Sequence, residues 1–324
     1  MSQRVSDYYY DLPPDLIASR PLDRRDASRM LVIDRAMGTI SHRQFRDFPE
    51  FLRPGDRVVL NDSRVIRARL LAPEKNIEIF LLEPCGAGIW KCLTKPGKKT
   101  RAGVVIPIAG TEARIMESLP DGGRIVQFAD EPDLEKFGQM PVPPYFNRDS
   151  DGSDDERYQT VYADVPGSVA APTAGLHFTG ELLSRIPHSF ITLHVGAGTF
   201  RPVKCERVEE HVMHEERYVI PSSTAEALNA ASRIVAVGTT TARVLESRKE
   251  PALECCSGRT DIFIYPPYEF HRTGALLTNF HLPCSTLLML VCAFAGRDLV
   301  MRAYYEAIAE GYRFYSYGDC MLLV

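Results

Sequence analysis

A single histidine stands among unusually small residues in the middle of the chain. Residues 168–183 read SVAAPTAGLHFTGELL, with His177 just before a predicted helix whose N-cap is Thr179. If SVAA is a strand, the loop that follows lies at its carboxyl end, where α/β folds bind ligands. Small residues let a substrate approach the backbone, and His177 is then placed to exchange a proton with it. The alternative is a histidine that packs against Phe178 and bonds a backbone carbonyl.

A second strand-to-loop transition carries another histidine. The stretch FITLHVGAGTFRPV puts His194 on an apolar strand, followed by Gly196, Gly198 and Arg201. Glycines at a strand end permit close approach to a ligand, although they also form plain turns. Two such loops in succession favour a binding site.

A third transition, RIVAVGTTTARVLES, runs from a strand through Gly238 into Thr239 and Thr240 at a helix start. Free N–H groups and hydroxyls at that position suit a carboxylate or a ribose. The stretch matches neither the phosphate-binding loop of nucleotide hydrolases nor a full dinucleotide fingerprint.

Two further stretches of the sequence contain groups of polar residues. The stretch HVMHEE holds His211, His214, Glu215 and Glu216. Its spacing is H-x-x-H, whereas a zinc-binding helix reads H-E-x-x-H, so a polar loop before the strand RYVIP is expected and no metal site. In LLTNFHLPCSTLLMLVCAFAG, Asn279 and His281 precede an apolar helix, and we expect these polar groups to face the same cleft as the glycine loops.

Composition is typical of a soluble globular protein. The chain has 324 residues, of which 45% are hydrophobic and 25% charged. Its longest apolar run, LLMLVCAFA, is shorter than the roughly 20 residues that span a bilayer, and the first ten residues lack the apolar core of a signal peptide. We therefore expect a cytoplasmic protein. Eight cysteines without a C-x-x-C pair argue against a disulfide framework or a zinc ribbon.

Charge is unevenly distributed along the chain. The net charge is −4, yet residues 1–105 contain 19 Lys and Arg against 13 Asp and Glu, and the remainder contains 19 against 29. This asymmetry is compatible with a basic face on the N-terminal third, although scattered surface charge would give the same counts.

Strand and helix signals divide the chain. Residues 68–145 contain short runs rich in Val, Ile and Phe at intervals of about ten residues, which is typical of a small antiparallel β-barrel. The flanking segments alternate strands and helices. We therefore predict an α/β fold: a discontinuous, barrel-like α/β main domain of residues 1–67 and 146–324, with the β-barrel inserted.

Several local elements are specific predictions. PPDLIASR predicts a short helix and RMLVID a short strand. Ser223 and Glu226 have the spacing of a capping box, and Gly311 is expected to cap the C-terminus of the helix LVMRAYYEAIAE.

These motifs together resemble the S-adenosylmethionine:tRNA ribosyltransferase-isomerase family of queuosine biosynthesis. The resemblance extends from about residue 9 to the C-terminus and is looser in the β-rich segment. Departures are PPY, with Pro267, where the family usually has PGY, RVIRARL for RVIPARL, and shorter connections before FITLHV and RIVAVG. The motifs that carry the resemblance are YDLPPDLIASRPLDRRDASRMLV, LNDSRVIRARL, DERYQTVYA, GSVAAPTAGLHFT, ITLHVGAGTFRPV, HVMHEERY, AVGTTTARVLES, TDIFIYPPYEF, LLTNFHLPCSTLLMLVCAFAG and YRFYSYGDCMLL.

The resemblance implies a reaction and its partners. The ribosyl part of S-adenosylmethionine is transferred and isomerised onto 7-aminomethyl-7-deazaguanine at the wobble position of tRNA with a GUN anticodon. Epoxyqueuosine-tRNA is formed, and adenine and methionine leave. S-adenosylmethionine is a consumed substrate, and no metal or other cofactor is expected. We further expect a monomer that does not bind membranes.

Roles follow for individual residues as hypotheses. His177 is the first candidate for proton transfer and His194 the second, and Asp261 or Glu246 is expected to face the sulfonium or the aminomethyl cation. Arg201 or Arg243 is expected to clamp the methionine carboxylate. The residues predicted to bind S-adenosylmethionine are Thr173, Gly196, Gly198, Arg201, Gly238, Thr239, Thr240, Arg243 and Glu246.

The predicted tRNA contacts are basic residues of the first 105 positions. A flipped anticodon base is expected to stack on Tyr145, Tyr158 or Phe178. The phosphate contacts predicted are Arg20, Arg24, Arg25, Arg29, Arg64, Arg67, Lys95, Lys98, Lys99 and Arg101.

Three other functions can be distinguished from this one. A metallohydrolase would need stoichiometric metal, and a non-catalytic RNA-binding module would leave the small-residue loops unexplained. A methyltransferase using the same small molecule would release S-adenosylhomocysteine.

Overall fold

Both ends of the chain alternate strands and helices, and the segment between them is almost entirely β. The computed structural model describes residues 3–196, 203 and 205–324. Its strands are β1 Arg29–Asp34, β2 Thr39–Gln44, β3 Asp56–Asn61, β4 Ser63–Val65, β5 Arg69–Ala72, β6 Ile77–Gly86, β7 Ile89–Lys95, β8 Val105–Ile108, β9 Thr111–Ser118, β10 Arg124–Phe128, β11 Val165–Ser168, β12 His188–Leu193, β13 Glu216–Ile220, β14 Arg233–Val237, β15 Cys256–Thr260, β16 Thr273–Asn279 and β17 Cys320–Leu323.

The helices are mostly short. The α-helices are α1 Leu134–Phe137, α2 Asp154–Arg157, α3 Gly180–Ser184, α4 Ser222–Asn229, α5 Thr239–Glu246, α6 Thr286–Ala295 and α7 Arg297–Ala309. Turns of 3-10 helix span Val5–Tyr8, Pro14–Leu16, Arg25–Ala27, Phe45–Phe51, Pro73–Lys75, Gly97–Lys99, Pro144–Phe146, Thr173–His177 and Val208–Glu210.

Nine strands form one large sheet in the order β15-β13-β12-β3-β14-β16-β17-β1-β2. Its four central strands, β12, β3, β14 and β16, are parallel to one another. Their carboxyl ends therefore meet at one edge, which brings together the residues that follow Asn61, Leu193, Val237 and Asn279. Residues 194–196 after β12 and Gly238 after β14 lie at this edge, as the sequence suggested.

Successive side chains of the central strands point to opposite faces of the large sheet and pack into a separate hydrophobic core on each face. On β14, Ala236 packs with helices α5 to α7, whereas Val235 and Val237 pack on the opposite face with Phe45, Phe48 and Phe178. Such two-sided burial is expected of parallel strands. Helix α6 lies in the first core with Leu288, Met289 and Val291 buried, so the prediction that this apolar run is a core helix is confirmed. Within the described part of the chain, no helix combines the length and apolar character that a membrane crossing requires.

The middle segment forms a second, six-stranded antiparallel sheet in the order β5-β6-β7-β10-β9-β8. Its end strands β5 and β8 also contact each other, which nearly closes the sheet around its own core of Leu70, Ile79, Ile106, Ile115 and Val126. The predicted fold class, α/β with an inserted small β-barrel, is confirmed. All eight cysteines are free thiols, as expected.

Three local predictions are wrong for identifiable reasons. PPDLIASR forms only a 3-10 turn, Pro14–Leu16, because its next residues pair with the C-terminal segment: Ala18 N–H donates to Phe314 O at 3.2 Å, and Phe314 N–H to Leu16 O at 2.8 Å. The SVAA strand ends at Ser168 and pairs with β4, outside the large sheet. No capping box forms at Ser223, since α4 already begins at Ser222 after Pro221.

Other local predictions are confirmed. The Thr179 hydroxyl accepts a hydrogen bond from Leu182 N–H and caps α3. Gly311, just beyond α7, has a φ of 65°, the left-handed conformation that glycine adopts most easily. The apolar stretch RMLVID forms β1.

The small residues before His177 serve packing within the protein. A Cβ added to Gly175 would lie 2.0 Å from the Tyr162 hydroxyl and 2.8 Å from Thr160 Cγ2. At this position the group that approaches the backbone is therefore the chain's own tyrosine. The sequence alone suggested a ligand there.

We predict that Gly175→Ala destabilises the fold by about 2 kcal/mol, because the crowded tyrosine must shift. Gly180→Ala is the matched control: it lies five residues away at the start of α3, where a Cβ meets nothing within 4 Å. Urea unfolding of both variants measures the difference. Equal stabilities for the two variants would contradict the packing role of Gly175.

Candidate active site

Two adjoining cavities open at the carboxyl edge of the central strands. The first, which we call the neutral cavity, is lined by Thr173, Gly238, Thr239, Thr240, Asn279 and Tyr315, among others. The second, which we call the charged cleft, has a volume of about 640 Å³ and lies between the large sheet and the barrel. Its walls include His194 and Gly196 after β12, Glu216 on β13, Arg243 on α5 and Glu83 on β6. Val195 and Leu287 line both cavities, so the two cavities are adjacent.

The two cavities differ in charge. Among the described residues that line the neutral cavity, none is a carboxylate, lysine or arginine. Its one titratable imidazole, His281, is buried, and burial lowers its pKa to about 3, so it is uncharged at neutral pH. The charged cleft, by contrast, has Glu215 and Glu216 beside Arg217 and Arg243. A ligand that occupies both cavities would need one uncharged and one ionic end.

Glu216 organises the wall of the charged cleft. Its carboxylate accepts a hydrogen bond from Gly196 N–H at 3.0 Å and pairs with the Arg243 guanidinium at 2.5 Å. Both side chains are almost fully buried. The ion pair therefore ties the loop after β12 to helix α5, and buried pairs of this kind are strongly destabilised when one partner is removed.

Arg243 retains donor capacity toward the cleft. Its Nε donates to Ile262 O at 3.3 Å and its Nη1 to Glu216. Its Nη2 is buried and has no hydrogen-bond partner within the described residues. Because an unpaired buried donor is costly, this nitrogen is suited to an anionic group of a ligand.

His194 lines the charged cleft. Burial, and then the positive charge of Arg217, lower the pKa of its imidazole, which keeps it neutral at pH 7. Its Nδ1 has no partner in the part of the chain that the structure describes. The ring lies against Gly167, where a Cβ would approach it to 2.8 Å. His194 therefore has the properties of a base that can accept a proton in the cleft.

His177 lies elsewhere. It is 4% exposed and lines a small notch with Arg25 and Arg157. Burial, assisted by Arg25 and Arg313, lowers its pKa to about 3. Its ring nitrogens contact Ser28 Oγ at 2.7 Å and Asn279 Nδ2 at 3.3 Å. Its proposed proton transfer stays a prediction, and its position on the far side of Asn279 favours His194 for that role.

The remaining predicted substrate residues have different surroundings. Asp261 is exposed just after β15 and is absent from the described lining of both cavities. Glu246 is buried, and its carboxylate accepts hydrogen bonds from the backbone N–H groups of His271, Arg272 and Thr273 at 2.8–3.1 Å. It thus satisfies backbone donors within the fold, which weakens its case as a substrate contact. Gly198 and Arg201 lie outside the described residues.

The predicted tRNA contacts divide into two groups. Several have partners within the protein: Arg20 pairs with Asp151, Arg24 with Asp26 at 3.0 Å, and Arg67 with Asp155 at 2.5 Å. Arg29 stacks on the Tyr312 ring at 3.8 Å and donates to Glu310 O at 2.6 Å. These side chains would have to exchange partners to contact phosphate.

The other basic residues are more available. Arg25 donates to two backbone carbonyls, those of Leu176 and Glu156, and Lys99 to the carbonyl of Lys75. Four more are exposed and form no ion pair within the described residues: Arg64, Lys95, Lys98 and Arg101.

The aromatic residues expected to stack on a flipped base are mostly enclosed. Tyr158 and Phe178 are fully buried in the core, so a base cannot reach them without unfolding, and that expectation is wrong for both. Tyr145 lines the neutral cavity and bonds Ser316 Oγ at 2.5 Å. It is the remaining candidate.

Sequence reasoning missed the residues that hold the site together. Glu216 was considered only as a metal ligand; across the described residues, no group of three or more His, Cys, Asp and Glu side chains is arranged to hold a metal ion. Asn61 accepts from Leu193 N–H and donates to Leu193 O, both at 2.9 Å, and so fixes the end of β12. No sequence motif indicates the role of Glu216 or Asn61, because each role depends on strands that only the fold brings together.

The fold and the site are those of an α/β enzyme that binds a small molecule at the carboxyl ends of its strands. A family model described as queuosine biosynthesis protein matches residues 5–323. The chain belongs to this family and is an enzyme of the transferase-isomerase class.

The chain is also similar to individual proteins over its whole length. It is 51% identical to an S-adenosylmethionine:tRNA ribosyltransferase-isomerase of Thermotoga maritima, covering 99% of this chain and 100% of the relative. A protein of the same name from Trichlorobacter lovleyi is 49% identical, with 99% of both chains covered. The crystal structure of an S-adenosylmethionine tRNA ribosyltransferase from Thermotoga maritima superposes with a TM-score of 0.57 and 41% identity, covering 98% of this chain and 100% of that one.

We predict that Gly167→Ala displaces the His194 ring, since the added methyl and the ring cannot both occupy the present positions. Gly103→Ala is the control: its φ of +88° is also unfavourable for alanine, but a Cβ there meets nothing within 4 Å. Imidazole NMR spectra should show a shifted His194 signal in the first variant only. An unchanged His194 signal in a folded Gly167→Ala protein would contradict the contact.

Proposed function

We propose that this enzyme transfers and isomerises the ribosyl moiety of S-adenosylmethionine onto 7-aminomethyl-7-deazaguanine at the wobble position of tRNA with a GUN anticodon. Epoxyqueuosine-tRNA is the product, and adenine and methionine are released. The proposal includes no metal or further cofactor, and a cytoplasmic monomer as the active form. It is carried by the end-to-end similarity to relatives that bear this enzyme name, and the two cavities support it.

The cavities suit a sulfonium nucleoside. S-adenosylmethionine has an uncharged sugar on one side of its sulfonium and an ionic methionine end on the other, and a neutral cavity adjoins a charged cleft here. In this arrangement the sulfonium lies near their junction at Val195 and Leu287. Arg243 Nη2 is the proposed partner of the methionine carboxylate, because it is the cleft's buried guanidinium nitrogen without a partner among the described residues.

The reaction needs a base that removes a proton from the carbon beside the sulfonium, and an acid that assists the departure of adenine. We assign the base to His194, which is neutral at pH 7 and faces the cleft. The RNA base would enter through the charged cleft, where carboxylates such as Glu215 complement its aminomethyl cation. Exposed cations of the barrel, Lys95, Lys98 and Arg101, are proposed phosphate contacts.

The proposal is tested by product analysis. The purified protein is incubated, without added metal, with S-adenosylmethionine and an anticodon stem-loop that contains 7-aminomethyl-7-deazaguanine. Mass spectrometry should detect adenine and methionine in step with epoxyqueuosine in the RNA. Release of S-adenosylhomocysteine would indicate a methyltransferase instead. Bound but unmodified RNA, under conditions where the Thermotoga maritima relative modifies it, would contradict the proposal.

We predict that kcat/KM decreases on the acid side of its pH profile because His194 becomes protonated. His194 acts only when deprotonated, and its folded pKa is below the ordinary 6.5. Activity should therefore be constant near pH 7 and fall as the pH drops through that lowered pKa. His194→Gln should remove this acid-side decrease and reduce kcat by about 10²–10⁴. A folded variant with an unchanged profile would exclude His194 as the base.

A further inference from the structure

The orientation of the Asn279 side chain is fixed by its surroundings. One terminal atom of its amide lies 3.1 Å from Tyr315 O and 3.4 Å from Asp319 O. Carbonyl oxygens only accept hydrogen bonds, so that atom must be the NH₂ nitrogen, Nδ2. The amide oxygen, Oδ1, necessarily points the other way.

His177 completes this arrangement. Asn279 Nδ2 also lies 3.3 Å from His177 Nε2, which must then be the unprotonated ring nitrogen. The ring proton is on Nδ1 and is donated to Ser28 Oγ at 2.7 Å. The neutral form of the ring is the one expected in this buried position, where its pKa is lowered to about 3, chiefly by burial. His177 therefore acts on the cavity through Asn279.

The amide oxygen has no such partner. Asn279 is 2% exposed and lines the neutral cavity, and within the described residues no donor reaches its Oδ1. A buried carbonyl oxygen without a donor is costly, which makes this atom a ready acceptor for a ligand N–H or O–H group. Because the described wall of this cavity has no carboxylate, lysine or arginine, an uncharged part of a substrate fits it better than an ionic part does.

Size and chemistry narrow the occupant further. The neutral cavity has a volume of about 60 Å³, room for a few water-sized groups and thus for a single small ring. Hydroxyls of Thr173, Thr239 and Thr240 line it together with the Asn279 amide. Such a wall matches the hydroxyls of a sugar better than the planar faces of a purine.

We propose that the neutral cavity holds the ribose of S-adenosylmethionine, with Asn279 Oδ1 accepting a hydrogen bond from a ribose hydroxyl and His177 acting as the positioning residue that orients Asn279. This inference rests on the proposed function, since it names the part of that substrate which the cavity binds. The hydroxyl concerned is on the ring that the reaction transfers.

The test measures binding of S-adenosylmethionine by calorimetry, alone and with a saturating anticodon stem-loop that carries unmodified guanine at the wobble position, so that turnover does not enter. Asn279→Ala should weaken binding about tenfold. The 2′-deoxy and 3′-deoxy analogues are then compared: the analogue that lacks the contacted hydroxyl should bind the native protein about tenfold more weakly, but the variant with little further loss. Asn229→Ala is the control: that amide, at the end of α4, bonds the backbone N–H and C=O of Leu253, and it is absent from the described lining of both cavities.

The role of His177 is tested in the same assay. His177→Ala should weaken binding, and His177→Ala combined with Asn279→Ala should weaken it no more than Asn279→Ala alone. His177→Gln should restore much of the affinity, because glutamine offers an acceptor to Asn279 and a donor to Ser28. Additive losses with no rescue would overturn the positioning role.

The outcomes separate this inference from the proposed function. If the native protein binds S-adenosylmethionine neither alone nor with the stem-loop present, the proposed function itself fails. If it binds, but neither deoxy analogue couples to Asn279 in folded variants, only the ribose assignment is overturned. If Asn279→Ala instead shows a non-additive loss of affinity with an analogue altered at the adenine amino group, the purine occupies the cavity and the ribose assignment is again overturned.

Discussion

The parallel pairing of β12, β3, β14 and β16 is the constraint on which the rest of the structure depends. Because all four strands run in one direction, their carboxyl ends meet at one edge, and the residues after Leu193, Val237 and Asn279 become neighbours. Backbone groups that leave the ladder at this edge need new partners. The Asn61 side chain satisfies both backbone groups of Leu193, and Glu216 satisfies Gly196 N–H. The same edge therefore holds the polar atoms that a ligand would meet.

Buried polar side chains set the geometry of this edge, and their partners determine what each can do. The Glu216 carboxylate is hydrogen-bonded to Gly196 and Arg243, and the Glu246 carboxylate accepts from three backbone N–H groups. The Asn279 side-chain nitrogen lies within hydrogen-bonding distance of two backbone carbonyls and His177. Among the described residues that line the two cavities, three buried side-chain atoms have no hydrogen-bond partner: Arg243 Nη2, His194 Nδ1 and Asn279 Oδ1. The groups available to a ligand are therefore those that remain after every hydrogen bond within the protein has been counted. A group already satisfied by the protein holds the site in shape, while an unsatisfied buried group is available to a substrate.

The barrel contributes to the site from outside the large sheet. Glu83 on β6 lines the charged cleft and forms ion pairs with Arg217 on β13 and Arg259 on β15, which join the barrel to the large sheet. These pairs are partly exposed and individually weak, yet they define one wall of the cleft with both signs of charge. A cleft that presents carboxylates and guanidiniums is compatible with a cationic RNA base and a zwitterionic amino acid. The neutral cavity beside it has no carboxylate, lysine or arginine among its described lining residues, so the two cavities differ in the ligand groups that they favour.

The sequence by itself determined the fold class, the inserted barrel and three of the loops at the active edge, since these depend on hydrophobic periodicity and on glycine and threonine at strand ends. It also identified His194, Arg243, Thr239 and Asn279 as polar residues of those loops. Only the tertiary structure decided which of their polar atoms already have partners within the protein. His177 lies behind Asn279, and Glu246 and Phe178 are enclosed in the protein, because burial and hydrogen-bond partners are set by strands and helices far apart in the chain. A motif indicates which residue lies near a site. Whether the polar atoms of that residue lack partners depends on neighbours that are distant in the sequence, which a local pattern does not contain.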